Sequence, residues 1–260
     1  PPDRHILSRI PLGVAGLLGS GLYLRHYFTE PESQLKDRRI YWPRGWVTGG
    51  SSTVNGMIWV HGTPHIYDEW AQDGCPGWSF DDLRPWFRKI ESFQGGDPAF
   101  RGDAGPMTIT EFQPVDPLPA AFLDAVEQAG IGPRVRDFNA GGFGGSFQQL
   151  NTRRGLRCNT RMAYLDPARG RQTLSVLTQA MVTRIKLTSG RATGVQAVVN
   201  GREVDLHARR EVILCGGTFN SAQLLELSGI GQREVLQSCG IPLQHELRWV
   251  GENLSEHVYS

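Results

Sequence analysis

Two adjacent glycines, two serines and an Asn-Gly pair fall within eight positions in the segment Trp42-Pro43-Arg44-Gly45-Trp46-Val47-Thr48-Gly49-Gly50-Ser51-Ser52-Thr53-Val54-Asn55-Gly56-Met57. Glycine takes positive φ freely and lets a flat group lie directly against the backbone. Serine adds hydrogen-bonding capacity with little bulk. The segment therefore suits the close approach of a large, planar, polar ligand, and it is denser in such residues than an ordinary surface loop.

The rest of the composition narrows the class. A chain of 260 residues can build one large domain or two small ones. Its 39% hydrophobic and 20% charged residues are those of an ordinary globular protein, and a formal net charge of +1 gives no bulk attraction to nucleic acid or an acidic membrane. The apolar stretch Pro11–Leu24, closed off by Arg9 and Arg25, is too short to span a bilayer and reads as a buried loop or short helix. Cys75, Cys158, Cys215 and Cys239 are widely spaced with no CxxC pair. They read as reduced thiols, and no Cys/His spacing suggests a metal site.

Along the chain, Ser79 with Asp82 forms a capping box that opens a helix over about Phe80–Ile90, with Leu83, Trp86, Phe87 and Ile90 on its apolar side and Pro85 near the first turn. A second helix is predicted over Pro119–Ala129, with Phe122, Leu123, Val126 and Ala129 as its stripe and Gly130 as its stop. From Leu174 the period changes to alternation. Val182–Leu187, Ala192–Val199 and Val204–Leu214 read as three strands of a β-meander, turned at Ser189-Gly190 and Asn200-Gly201. The last strand ends as a buried apolar run at Gly216-Gly217, and a helix starts near Ser221, lined by Leu224, Leu225 and Leu227. A strand, a glycine corner and a helix N-terminus is how α/β folds hold a phosphate or nucleotide. Trp59, Trp70, Trp78 and Trp86 read as core residues, and His61, His65 and His257 as structural hydrogen-bonders.

The string Pro43-Arg44-Gly45, Val47, Gly49-Gly50-Ser51-Ser52, Asn55-Gly56-Met57 resembles the first signature of the glucose–methanol–choline (GMC) oxidoreductases, FAD-dependent alcohol oxidases and dehydrogenases. Gly217-Thr218-Phe219-Asn220-Ser221-Ala222 through Gly229-Ile230-Gly231 resembles the second, with Ala222 where the family usually has proline. Arg157 through Ala163-Tyr164-Leu165 and Gly251-Glu252-Asn253-Leu254-Ser255-Glu256-His257 resemble further family elements, the latter with Glu256 in place of aspartate. The wording is closest to choline-dehydrogenase-like members.

The resemblance implies a mixed α/β (α+β) fold: part of an FAD-binding Rossmann-like domain with a β-meander, plus part of a substrate domain. It divides the chain into an FAD-contacting segment with its following helix (1–110), a partial substrate-domain segment (111–165) and the meander, strand and helix of the FAD domain (166–260). Asn55, Gly56, Met57 and Ile58 are expected against the isoalloxazine ring, with Val47, Gly49, Gly50, Ser51 and Ser52 shaping its approach. The Val182 backbone is expected at the adenine, Gly216 and Gly217 near the adenosine, and Asn253 closing the site. Val54 stands where some members carry a flavin-linking histidine, so FAD is expected to be non-covalent.

Neither a strand–GxGxxG–helix nor the family's C-terminal catalytic histidine is found, which suggests a piece from the middle of a longer protein. The catalytic base is expected beyond Ser260, and the 260 residues alone are expected to be poorly soluble and to hold FAD weakly. The reaction implied for the whole protein is oxidation of a primary, choline-like alcohol with oxygen, a quinone or another electron acceptor. A cytoplasmic or membrane-peripheral location is expected. An FAD-containing hydroxynitrile lyase and a non-catalytic truncated remnant are the alternatives.

Overall fold

Leu17 is fully buried at the centre of a short helix, α1 (Gly13–Ser20), which Gly21 ends in the left-handed conformation at φ +65°. Leu17 packs with Tyr23, Leu24 and Val54. Of the buried loop or short helix expected, the apolar stretch thus forms a short helix, although Leu12 lies largely in solvent. The computed structural model describes residues 2, 3, 5–140 and 142–255, so Gly141 and the Glu256-His257 end of the terminal motif lie outside the described residues. The chain forms two compact units, Pro1–Ser175 and Val176–Ser260, and its mixed helix-and-strand architecture is the class expected from sequence.

In the first unit, β1 (Leu24–Arg25) pairs antiparallel with β2 (Arg44–Gly45), which leads into the glycine-rich segment. Helices α2 (Pro64–Gln72) and α3 (Phe80–Ile90) follow. The capping box holds: Asp82 N–H donates to Ser79 Oγ at 3.3 Å, and Ser79 N–H donates to Asp82 Oδ2 at 3.2 Å. Asp81 and Asp82 in the first turn and Arg88 and Lys89 in the last complement the helix dipole. Pro85 is the sixth helical residue rather than part of the first turn, so it removes one intrahelical hydrogen bond. The tryptophans depart from the core assignment. Tyr67, Phe80 and Phe87 pack at ring-centroid distances of 5.7–6.3 Å, while Trp70, edge-on to Tyr67 at 5.1 Å, Trp78 and Trp86 are about half exposed. Only Trp59 is drawn in, against the Phe93–Met107–Ile109–Cys158 cluster.

Strand β3 (Glu91–Phe93) runs parallel to β4 (Met107–Glu111), which pairs antiparallel with β5 (Gln149–Leu150). Between them α4 (Leu118–Gln128) buries only Leu123, and Phe122 of the predicted stripe faces solvent. Strands β6 (Thr152–Arg153) and β7 (Leu156–Arg157) form a tight hairpin, followed by a π-helical turn (Arg161–Leu165) and the single-turn α5 (Asp166–Ala168).

The second unit is the meander, β8 (Ala180–Thr188), β9 (Arg191–Val199) and β10 (Arg202–His207), all antiparallel in the order β10-β9-β8. Both turns place their two residues at positive φ: Ser189 and Gly190 at +49° and +77°, Asn200 and Gly201 at +50° and +78°. This is the primed geometry that matches strand twist. The third strand stops at His207 instead of reaching Leu214. Residues 211–215 pair with no strand among the described residues, and Ile213 is 76% exposed. A two-sided apolar run needs a neighbour on each edge to be buried as a central strand. Helix α6 (Gly217–Leu227) begins four residues earlier than expected and is tied to β8 by Ser228, whose Oγ accepts from Ile185 N–H at 2.8 Å and donates to the Leu224 carbonyl at 2.6 Å. Strands β11 (Ile230–Gly231) and β12 (His245–Glu246) pair in parallel around α7 (Arg233–Ser238).

A buried polar network anchors the residues just after the glycine-rich segment. Glu91 is fully buried and accepts five hydrogen bonds: from Arg101 Nε (2.8 Å), Arg101 NH2 (2.9 Å), Gly102 N–H (3.0 Å), Trp59 Nε1 (2.8 Å) and His61 Nε2 (3.1 Å). Burial pushes the Glu91 carboxyl upward. The bonds from His61, Arg101 and Gly102 outweigh it and bring the pKa from 4.5 down to about 2. A depressed folded-state pKa contributes stability that is complete above the unfolded value and lost as pH falls through the folded one. The loss therefore falls between about pH 4.5 and pH 2 and is on the order of 3 kcal/mol. Glu91→Gln should lower Tm at neutral pH, and the gap to the wild type should narrow as pH falls through that window. Parallel curves in thermal unfolding would contradict this assignment.

Candidate functional site

The glycine-rich segment folds as a 3₁₀ turn, Gly50–Thr53, and then as a side-chain-closed turn through Asn55. Its glycines serve two different purposes. A Cβ on Gly45 would lie 2.4 Å from the Gly50 carbonyl carbon, and one on Gly49, at φ +94°, would lie 2.5 Å from Thr53 Oγ1. These two glycines are required by the chain's own packing. Gly50, at φ +55°, and Gly56 meet nothing within 4 Å. Gly56 is not at positive φ either, so neither backbone conformation nor packing within the described residues demands glycine there.

The side chains of the segment are largely committed inward. Val54 and Met57 are buried and Val47 packs on the Leu17 cluster, so these residues offer backbone rather than side chain to the open face. Ser51 Oγ accepts from Gly45 N–H at 3.1 Å. Ser52 Oγ donates to the Gly49 carbonyl at 2.5 Å and accepts from Thr160 N–H at 3.0 Å. Met57 holds φ +65°, an uncommon conformation for a side-chain-bearing residue. It is fixed by Met57 N–H donating to Asn55 Oδ1 at 3.1 Å and by the Met57 carbonyl accepting from Asn151 N–H at 3.0 Å. Ile58 bridges Leu150 and stays half exposed.

Residues 157–161 grip this turn from behind. Arg157 is fully buried. Its NH1 donates to the Ser52 carbonyl (3.1 Å) and to Asn55 Oδ1 (2.8 Å), and its NH2 donates to the Asn55 carbonyl (2.8 Å). Burial lowers the Arg157 pKa and the Asp3 carboxylate opposes that shift. Asn159 donates to Asp3 Oδ2 (3.1 Å) and Thr53 Oγ1 (3.0 Å), and Thr160 Oγ1 donates to the Gly49 carbonyl at 3.1 Å. Sequence reasoning placed none of these residues in the site. The available signal was a polar run, Arg157-Cys158-Asn159-Thr160-Arg161, whose arginines and asparagine are buried.

The second unit holds the other four predicted residues. Val182 is half-buried beside a β-bulge between Val182 and Arg184, which interrupts the ladder with β9. Gly216 caps α6 without a side-chain hydrogen bond, and Gly217, at φ +80°, meets nothing within 4 Å. Asn253 is exposed at φ +55°. Of the histidines, His61 is buried on Glu91 and stacked 4.7 Å from Phe87, whereas His65 is exposed. The four cysteines carry no disulfide, and only Cys158 is buried. No group of three or more His, Cys, Asp and Glu suited to a metal occurs among the described residues, and no helix among them is long and apolar enough to cross a membrane. A concave cavity of about 360 Å³ in the first unit is lined by residues such as Phe93, Asp97, Glu111 and Asp137 and by none of the glycine-rich segment.

Comparison with known proteins agrees with this arrangement. A family model described as GMC oxidoreductase matches residues 14–259. The chain is 38% identical over 261 residues to the oxygen-dependent choline dehydrogenase of Photobacterium profundum, covering 98% of this chain and 45% of that protein. It is also 38% identical over 252 residues to the mitochondrial choline dehydrogenase of Homo sapiens, covering 96% and 42%. Among solved structures, pyridoxine 4-oxidase from Mesorbium loti superposes with a TM-score of 0.88 at 31% identity, over 95% of this chain and 49% of that one. The chain spans about half the length of the curated relatives it matches. With its signature turn built as described and a family match over nearly its whole length, the chain belongs to the GMC oxidoreductase family.

Proposed function

We propose that the chain is the FAD-contacting half of an oxidoreductase that acts on CH–OH groups, with a choline-like primary alcohol as substrate. The observation that carries this reading is Gly56. It is a glycine with no conformational or packing role of its own, beside an exposed asparagine, in the middle of the family's first signature. Space that a Cβ would fill is what a ring lying against the backbone requires. Gly50 and Gly217 leave similar open space. The name of a choline dehydrogenase relative supplies the substrate class.

FAD, when bound, supplies the acceptor, flavin N5, for the hydride leaving the alcohol carbon. The residues of this chain bind and orient. Asn55, Gly56, Met57 and Ile58 would line the ring, and Val47, Gly49, Gly50, Ser51 and Ser52 hold the turn that presents them. Val182, Gly216, Gly217 and Asn253 would receive the adenosine side. Met57 N–H is committed to Asn55 Oδ1 and Asn55 N–H to the Ser51 carbonyl, so within residues 55–57 the donors left for the ligand are Gly56 N–H and Asn55 Nδ2. Fixed donors of this kind stabilise negative charge gathered on reduction. The base that takes the hydroxyl proton is assigned outside residues 1–260, and the electron acceptor is oxygen, a quinone or another small oxidant. We assign 1–110 and 166–260 to the FAD domain and 111–165 to the substrate domain, in a cytoplasmic or membrane-peripheral protein. The named relatives are dehydrogenases and oxidases, which supports net redox chemistry over the lyase and remnant readings.

Anaerobic mixing of the purified full-length protein with choline or another primary alcohol should bleach its flavin absorption. A flavin that stays oxidised with every primary alcohol, while a hydroxynitrile is cleaved, would overturn the dehydrogenase reading. Val54 is packed in the core and carries no nucleophile, so acid precipitation should release all of the FAD into the supernatant. Flavin remaining with the pellet would show a covalent link.

A further inference from the structure

The fully buried guanidinium of Arg157 engages both oxygens of Asn55. Its NH1 shares Asn55 Oδ1 with Met57 N–H, and its NH2 takes the Asn55 carbonyl, both at 2.8 Å. Two donors converging on one amide oxygen fix which way the Asn55 amide is turned, because Nδ2 cannot replace Oδ1 without setting three donors against one another. Asn55 Nδ2 and Gly56 N–H have no partner among the described residues, and both residues are exposed. We propose that Arg157 is a positioning residue that fixes the orientation of the Asn55 amide, turning its Nδ2 outward and so selecting a hydrogen-bond acceptor on the ligand at that position.

Three further observations support this assignment. Arg157 sits in the β6–β7 hairpin, with its own N–H donating to the Arg9 carbonyl at 2.8 Å, so its backbone is held independently of the turn. It forms no ion pair among the described residues, so its charge is not cancelled by a touching carboxylate and acts on the turn it holds. Its fork is bidentate across Asn55, a geometry that lysine cannot reproduce. The inference rests on the reading that FAD is the ligand. It adds to that reading which face of the ligand meets Asn55, and that a residue about a hundred positions away decides it.

The test is Asn55→Asp in the full-length protein. A carboxylate accepts from Arg157 and Met57 N–H as the amide oxygen does, so the turn is retained, but the outward donor becomes an acceptor. The expected result is an apoprotein Tm within about 2 °C of wild type, an FAD Kd raised roughly tenfold or more, a lowered flavin reduction potential and a shifted flavin absorption spectrum. Arg157→Lys keeps the charge but frees the amide to turn. It is expected to weaken FAD binding and shift the spectrum in the same direction. Asn55→Asp with wild-type FAD affinity and potential overturns the proposal. Weakened affinity matched by an equal loss of apoprotein stability also overturns it, since the residue would then serve only the fold. If the wild-type full-length protein binds no FAD, the cofactor reading itself fails and the inference falls with it.

Discussion

A guanidinium taken wholly out of water is costly unless each of its donors finds an acceptor. Arg157 offsets most of that cost through NH1 and NH2, which reach carbonyl and amide oxygens of a single turn, Ser52 and Asn55, rather than a carboxylate, while its buried Nε has no hydrogen-bond partner among the described residues. The consequence runs in both directions. The arginine is tolerated in the interior only while the turn keeps its shape, and the turn keeps an otherwise unfavourable shape, with Met57 at φ +65°, because the arginine and its neighbours Asn159 and Thr160 hold it. Positive-φ strain of this kind costs on the order of 1–3 kcal/mol and persists where the surroundings over-determine it.

The Glu91 network does for the downstream end of the segment what Arg157 does for its centre. Glu91 and Arg101 pair in the interior, and Trp59 and His61 are hung from the same carboxylate. Between the two networks, residues 57–59 are laid beside 149–151 by the Met57 carbonyl to Asn151 N–H bond and the Trp59 N–H to Gln149 carbonyl bond. The exposed positions left over, Asn55, Gly56 and Ile58, form the open face that we assign to a planar ligand. The side chains of the segment therefore do mainly structural work, and its backbone and one amide are what it presents outward.

How much of this could be read beforehand depended on the range of the forces involved. Helix α3 was legible to the residue because the Ser79–Asp82 box is a local hydrogen-bond pattern, and both meander turns were legible because Ser-Gly and Asn-Gly accept positive φ. The signature segment was legible as a mark of the family, but the division of its glycines into those needed by the chain and those left open was not. That division depends on what lies across from each Cα. Arg157 lies more than a hundred residues from its partners, and Glu91 ten to thirty-two from its own. No local period marks either contact. The run Val212–Cys215 was misread for the same reason. Its composition is that of a central strand, but burial requires neighbours that a local pattern does not supply, and among the described residues it has none. The tryptophans of α2 and α3 were placed in the core by their spacing, whereas the smaller rings of Tyr67, Phe80 and Phe87 fill the seam.

The central claim is that the open face at Asn55-Gly56 exists for a ligand and not for the fold, and Gly56→Ala tests it most directly. A methyl group at that position meets nothing within 4 Å of the chain, so the apoprotein should unfold at the wild-type temperature or slightly above it. The same methyl group occupies the space assigned to the flavin ring. Titration of the full-length variant with FAD should therefore give a Kd raised roughly tenfold or more. FAD affinity equal to wild type, with folding likewise unchanged, would contradict the account, because the glycine would then be needed neither by the chain nor by its cofactor.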